Sequence, residues 1–198
     1  MWKVKEMSKK MKNLVILGAS RAGKSTIARE INKLYPNYHI IRGDSIRHAF
    51  QETLPQNEIN KYDGKGMKED FARFSAELFK SHAKHDEYYN YIFDSCDVSV
   101  ENAVKFFAQD STIVIFLAYP KLTPKEAFEN YRKYEKATDW TVRRTDEQLL
   151  EFAEVWTQKS KIFEQDCKKY GVRFIDTSYN REEKLKNLID ELKEELKK

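Results

Sequence analysis

The sequence predicts an α/β protein: a five-stranded parallel sheet with helices on both faces. Three observations carry this expectation. Apolar runs of strand length alternate with longer stretches of helical period, the strand segments are buried-type runs, and no composition break divides the 198 residues. Strands apolar on both faces are covered on both faces, and parallel neighbours need a crossover connection between them. With 40% hydrophobic residues the chain can bury a sizeable core, and its length suits one domain.

Five runs read as strands: 13–17, 38–41, 91–94, 112–118 and 172–176. Helical period marks 24–34, 45–53, 67–84, 100–108, 124–136 and 146–170 between them. A last helix is expected over 181–196, with Asn180 as N-cap. Its apolar stripe is Leu185, Leu188, Ile189, Leu192 and Leu196, and its alternating charges read as a solvated face. Phe71, Phe74, Leu78 and Phe79 follow helical spacing and are predicted core. Strand two is expected beside strand one. Two stretches, 54–66 and 137–145, carry no strong helix signal and are expected to be loops or small mobile inserts.

Residues 1–12 hold Lys3, Lys5, Lys9, Lys10 and Lys12 against Glu6, which accounts for the whole net charge of +4. The basic tail is thus set apart from a charge-balanced single domain, 13–198, and Met11 is a second candidate start. Overall charge therefore gives no support to a nucleic-acid partner. No apolar run approaches the ~20 residues of a bilayer span, and 14–17 is too short for a secretory leader. Cys96 and Cys167 are isolated, which suits a reducing compartment. The expectation is a soluble, cytoplasmic protein without a membrane partner, of unassigned oligomeric state.

Gly18-Ala19-Ser20-Arg21-Ala22-Gly23-Lys24-Ser25 matches GxxxxGK[ST] at every fixed position, between a strand and a helix. The glycines let successive N–H groups turn toward phosphate oxygens, and the helix N-terminus adds partial positive charge. Lys24 is expected to pair with the β- and γ-phosphates, Ser25 to ligate Mg²⁺ and Thr26 to touch the α-phosphate. The motif predicts a nucleoside triphosphate and Mg²⁺ as ligands. Asn60-Lys61-Tyr62-Asp63 and Asp63-Gly64-Lys65-Gly66 spell the NKxD and DxxG of GTPases. They overlap in one polar loop, in the wrong order and away from buried strands, so they read as coincidences.

Gly43-Asp44-Ser45-Ile46-Arg47 follows the second strand. A carboxylate there can orient an acceptor hydroxyl and receive its proton, and Arg47, one helical turn on, can clamp an anionic acceptor. The alternative is that Asp44 caps the helix and Arg47 is a solvated charge. Asp94 ends strand three, where it serves either a ligand or an ordinary strand end. His82 and His85 share a helix face but lack a third convergent ligand, so they read as a solvated face. Trp140 is expected to pack locally.

With these motifs the chain resembles the adenylate-kinase-like P-loop kinases over nearly its whole length. Gly43-Asp44-Ser45-Ile46-Arg47 is similar to the GDxxR of adenylate kinases and, with His48, to the GDNxRH of adenylylsulfate kinases. Polynucleotide kinases share the D-x-x-R spacing. Arg144-Thr145-Asp146-Glu147 looks like the RxDD at the end of the adenylate kinase lid. The resemblance implies the three-layer P-loop kinase fold with a small lid at about 131–146. It further implies that Arg143 or Arg144 closes over the transferring phosphoryl group and that Arg132 lies close to the adenine. Asp94 would hold Mg²⁺ or contact substrate, and Thr177 and Ser178 would border the base.

The chain departs from adenylate kinases after strand three, where Asp94-Ser95-Cys96-Asp97 replaces DGFPR, and in 149–156, which lacks a second lid arginine. The resemblance thus implies an ATP-dependent kinase acting on a small-molecule or nucleotide acceptor. A nucleoside monophosphate kinase, a nucleic-acid 5′-end kinase and a non-catalytic ATP-binding protein are the alternatives.

Overall fold

The computed structural model describes residues 11–53, 69–86 and 88–197. Most of the basic tail, the 54–66 segment and the two GTPase-like tetrads lie outside these residues. The chain runs β1 (Asn13–Gly18), α1 (Lys24–Leu34), β2 (Tyr38–Arg42), α2 (Gly43–Thr53), α3 (Glu69–His85), β3 (Asn90–Ser95) and α4 (Val100–Phe106). It continues through β4 (Thr112–Ala118), α5 (Pro124–Lys133), a 3₁₀ turn (Trp140–Arg143), α6 (Asp146–Tyr170), β5 (Arg173–Asp176) and α7 (Arg181–Glu195).

All five strands are parallel, in the order β2-β3-β1-β4-β5. Strand two therefore does not lie beside strand one; β3 stands between them. The burial of the strands explains the placement. Every residue of β3 is buried, like every residue of β1, whereas β2 exposes His39 and Arg42. The fully apolar runs take the interior, and the half-polar β2 tolerates an edge. Helices cover the sheet on both faces. α1 packs on β1, β2 and β3 and against α7, while α3, α4 and α6 form the other cover together with α5.

Local chemistry sets the helix boundaries. Thr123 and Glu126 form a reciprocal capping box at the start of α5, with Pro124 in its first turn. Thr145 and Gln148 do the same for α6, which runs 25 residues until Gly171 terminates it in the left-handed region. Leu185, Leu188, Leu192 and Leu196 are buried as the stripe requires. Asn180 does precede α7, but its φ is 52° and its side chain caps nothing. Phe71 and Phe79 are core, whereas Phe74 is half-exposed because Phe71, Ala72, Ser75, Ala76 and Phe79 form the inward face. The 137–145 stretch contains the 3₁₀ turn, whose Trp140 ring meets Phe152 edge-on at 4.7 Å. Among the described residues no helix is long and apolar enough to cross a membrane.

At Gly18 φ is +118°, and a Cβ would sit 2.1 Å from the Leu117 carbonyl oxygen of the neighbouring strand. Neither backbone can yield without breaking the β1–β4 ladder. Gly18→Ala is expected to destabilise the protein by about 3 kcal/mol. Urea unfolding measures it, and a midpoint equal to wild type would show that the turn accommodates a side chain.

Candidate active site

The turn from β1 into α1 builds the centre of the site. Gly23 at the N-cap has φ 109°, and no side chain caps the helix. The first N–H groups of α1 thus lack intrahelical acceptors and face the turn. Lys24 is buried, and its Nζ donates to the Ala19 carbonyl at 2.8 Å, folding the ammonium over its own loop. Arg21 occupies the left-handed region at φ 66°, a conformation that a non-glycine residue adopts only at a cost.

Its side chain supplies the compensation. Arg21 Nη1 pairs with Asp139 Oδ2 at 2.7 Å, and Nη2 donates to the Tyr134 carbonyl at 2.9 Å. The phosphate-type loop is thereby joined to the 134–145 connection that precedes α6. Burial pushes the Asp139 carboxyl up, but Arg21 and the Lys136 N–H outweigh it and hold the group below its ordinary range. A depressed carboxyl stabilises the fold at neutral pH, and that contribution fades as pH falls through the lowered value.

A second tether comes from two tyrosines. The Tyr119 hydroxyl donates to the Ser20 carbonyl at 2.8 Å and lies 2.7 Å from the Tyr131 hydroxyl, which accordingly donates to it. Burial, with Tyr131 adding to it, pushes the Tyr119 hydroxyl well above its ordinary pKa, so it stays a donor. Neither tyrosine was singled out in the sequence.

The β1–β3 pairing brings Ile16 opposite Asp94. In consequence the Ser25 hydroxyl donates to Asp94 Oδ2 at 2.6 Å, with Asp94 nearly buried. A hydroxyl and a carboxylate at this spacing are hard oxygen donors of the kind Mg²⁺ takes. The donor set therefore fits the ion that the fold class uses.

These groups line one cavity of about 380 Å³ together with Ser20, Thr26, Asp44, Asn130, Tyr134, Trp140 and Thr177. Six cationic side chains border it, Arg21, Lys24, Arg29, Arg42, Lys136 and Arg181, against the carboxylates Asp44, Asp94 and Asp139. The excess of positive charge suits a polyanion. Arg29, Arg42, Lys136 and Arg181 were not singled out in the sequence, because lone basic residues on helices and strand ends carry no pattern.

The remaining expected residues fall partly inside the cavity lining and partly outside it. Arg47 is buried outside the cavity lining, with Nε 3.3 Å from Asp97 Oδ2 and Nη1 donating to Gln51 at 2.7 Å. Asp44 is exposed to the cavity, 3.7 Å from Arg47 Nε. Arg132 pairs with Asp146 at 2.5 Å and Glu135 at 3.1 Å, and bonds the Arg144 carbonyl, so it braces the start of α6. Arg143 and Arg144 are exposed and do not line the cavity. Thr177 lines it, bonded through N–H and hydroxyl to the Ala118 carbonyl, while Ser178 accepts from the Lys121 N–H at 3.1 Å. Gly18, Ala19 and Ala22 form the turn itself without a lining side chain. Cys167 is buried, and burial pushes its thiol up to about 12, which leaves it unreactive.

The architecture is that of the three-layer α/β P-loop kinases. Shikimate kinase from Bacteroides thetaiotaomicron, a solved structure, shares it with a TM-score of 0.55 at 15% identity, covering 92% of this chain and 99% of that one. At that identity the likeness is one of fold. No protein-family model matches the chain, and no curated protein matches its sequence.

The Arg21–Asp139 pair should couple the loop to the 134–145 connection. A double-mutant cycle with Arg21→Ala and Asp139→Ala is expected to give about 1 kcal/mol of coupling in urea unfolding. A coupling of zero would make the contact incidental.

Proposed function

We propose that the chain is an ATP-dependent phosphotransferase that moves the γ-phosphoryl group to a small-molecule or nucleotide acceptor. The observation that carries this reading is the Ser25 hydroxyl bonded to Asp94 at 2.6 Å beside the buried Lys24. These are the three side chains the chemistry needs at the donor phosphates, drawn from the start of α1 and the end of β3. The solved neighbour's name, shikimate kinase, designates a small-molecule kinase and agrees with a small acceptor.

In this reading the donor's β- and γ-phosphates lie along the α1 N-terminus, and Lys24 exchanges the Ala19 carbonyl for them. Ser25 and Asp94 hold Mg²⁺, which when bound offsets charge on the donor's phosphates. Asp44 orients the acceptor hydroxyl and takes its proton as the new O–P bond forms. The bond between the γ-phosphorus and its bridging oxygen breaks, and ADP leaves with that electron pair. Asp97 engages Arg47, so Arg42, two residues before Asp44 and on the cavity wall, supplies the charge that meets an anionic acceptor. Arg143 or Arg144 reaches the phosphoryl group once the 134–145 connection folds inward and excludes water. Thr26, Thr177 and Ser178 border the donor's nucleoside end.

Two substitutions test the assignment. Lys24→Ala is expected to abolish ATP-dependent transfer with an unchanged unfolding midpoint; wild-type turnover in that variant contradicts the mechanism. Asp44→Asn is expected to lower kcat by 100-fold or more, about the range of general-base catalysis, with little change in ATP affinity. Parallel losses in both would make Asp44 a structural cap. A panel of hydroxyl-bearing metabolites and nucleoside monophosphates, scored for acceptor-dependent ADP release, identifies the acceptor.

A further inference from the structure

Arg181 opens α7, yet it is not part of that helix's solvated face. Its Nε is buried without a hydrogen-bond acceptor, and no carboxylate pairs with its guanidinium among the described residues. The neighbouring Glu182 is exposed. The guanidinium carbon sits 4.6 Å from the centroid of the Tyr134 ring. One Nη lies 3.3 Å from where a Cβ on Gly23 would stand, so the charge is beside the last residue of the phosphate-type loop. Arg181 also lines the cavity.

Such an arrangement is expensive for the protein alone. A guanidinium has five donors and no acceptor, and at Nε burial removes the water that would serve it. Burial lowers its pKa, and the nearby Arg21 charge acts in the same direction against Tyr134 and Glu182. The Tyr134 ring offsets part of that cost, and an anion arriving in the cavity would supply the acceptor that Nε lacks. Arg21 cannot yield its partner, since Asp139 already bridges it to the 134–145 connection.

We propose that Arg181 is an anion-binding residue of the donor subsite, holding the phosphate nearest the nucleoside while Tyr134 supports its guanidinium from behind. This rests on the donor-binding reading above and extends it to a residue on the last helix. The position follows from the loop. Gly23 leads directly into the α1 N-terminus, where Thr26 borders the cavity at the α-phosphate end of the donor. A Cβ at Gly23 would meet Leu185 Cδ1 at 2.7 Å and press on the Arg181 guanidinium from 3.3 Å.

Arg181→Met keeps an unbranched apolar stem and removes the guanidinium, with its charge and its contact with the Tyr134 ring. ATP affinity by calorimetry is expected to fall about tenfold or more, the scale of one charge-assisted hydrogen bond. The salt dependence of ATP binding should become shallower, because one ionic contact is gone. The thermal midpoint should stay level or rise, because a half-buried cation whose Nε lacks an acceptor has been removed. Unchanged ATP affinity, a lowered midpoint, or a loss with unaltered salt dependence would each overturn the proposal while leaving ATP binding by the wild type intact. If the wild-type protein itself fails to bind ATP, the donor reading falls and this inference falls with it.

Discussion

The hydrogen bond between the Ser25 hydroxyl and the Asp94 carboxylate depends on the sheet order. It exists because β1 and β3 are neighbours, so that the residue after the phosphate-type loop and the last turn of β3 emerge at the same edge. Were β2 the neighbour of β1, its terminal residue would occupy that place, and Asp94 would lie one strand farther off. The interior position of β3 follows in turn from its complete burial, which a polar edge strand could not supply. Sheet packing, therefore, sets the spacing of the oxygen donors, and the site inherits its precision from backbone ladders rather than from loops.

Around that pair the protein holds its loop in place by contacts from elements distant in sequence. Tyr119, just after β4, and Tyr131 on α5 grip the Ser20 carbonyl through successive hydroxyls. Arg21 spans from the loop to Asp139 and Tyr134, while Arg181 reaches the Tyr134 ring from α7. Tyr134 is thus held at its carbonyl by one arginine and at its ring by another. The loop, the last helix and the connection ahead of α6 meet at this residue.

Much of this was legible in the sequence where short-range chemistry decides. α1, β4 and α6 begin and end at the residues expected, because GxxxxGK, a seven-residue apolar run and a threonine cap each mark a boundary locally. Strand order was not legible, since it depends on comparing the burial of β2 and β3. Arg47 was read as an acceptor clamp from its spacing to Asp44, but Asp97, fifty residues on, engages it. Arg181 was read as one charge among many on a polar helix, and only the fold shows its Nε shut off from solvent. The family-like positions of Arg132, Arg143 and Arg144 told where they stand in the chain, while their partners and exposure came from tertiary structure.

The central claim is that Ser25 and Asp94 form a divalent-cation site that assembles with the donor. Mn²⁺ titration followed by electron paramagnetic resonance, on protein held with saturating ATP, tests it most directly. Asp94→Asn preserves the shape of the side chain and its ability to accept from Ser25 while removing the negative charge. The account predicts tight ATP-dependent Mn²⁺ binding to the wild type and at least tenfold weaker binding to the variant, the loss expected for one charged ligand. Equal Mn²⁺ affinity in the two proteins would contradict it.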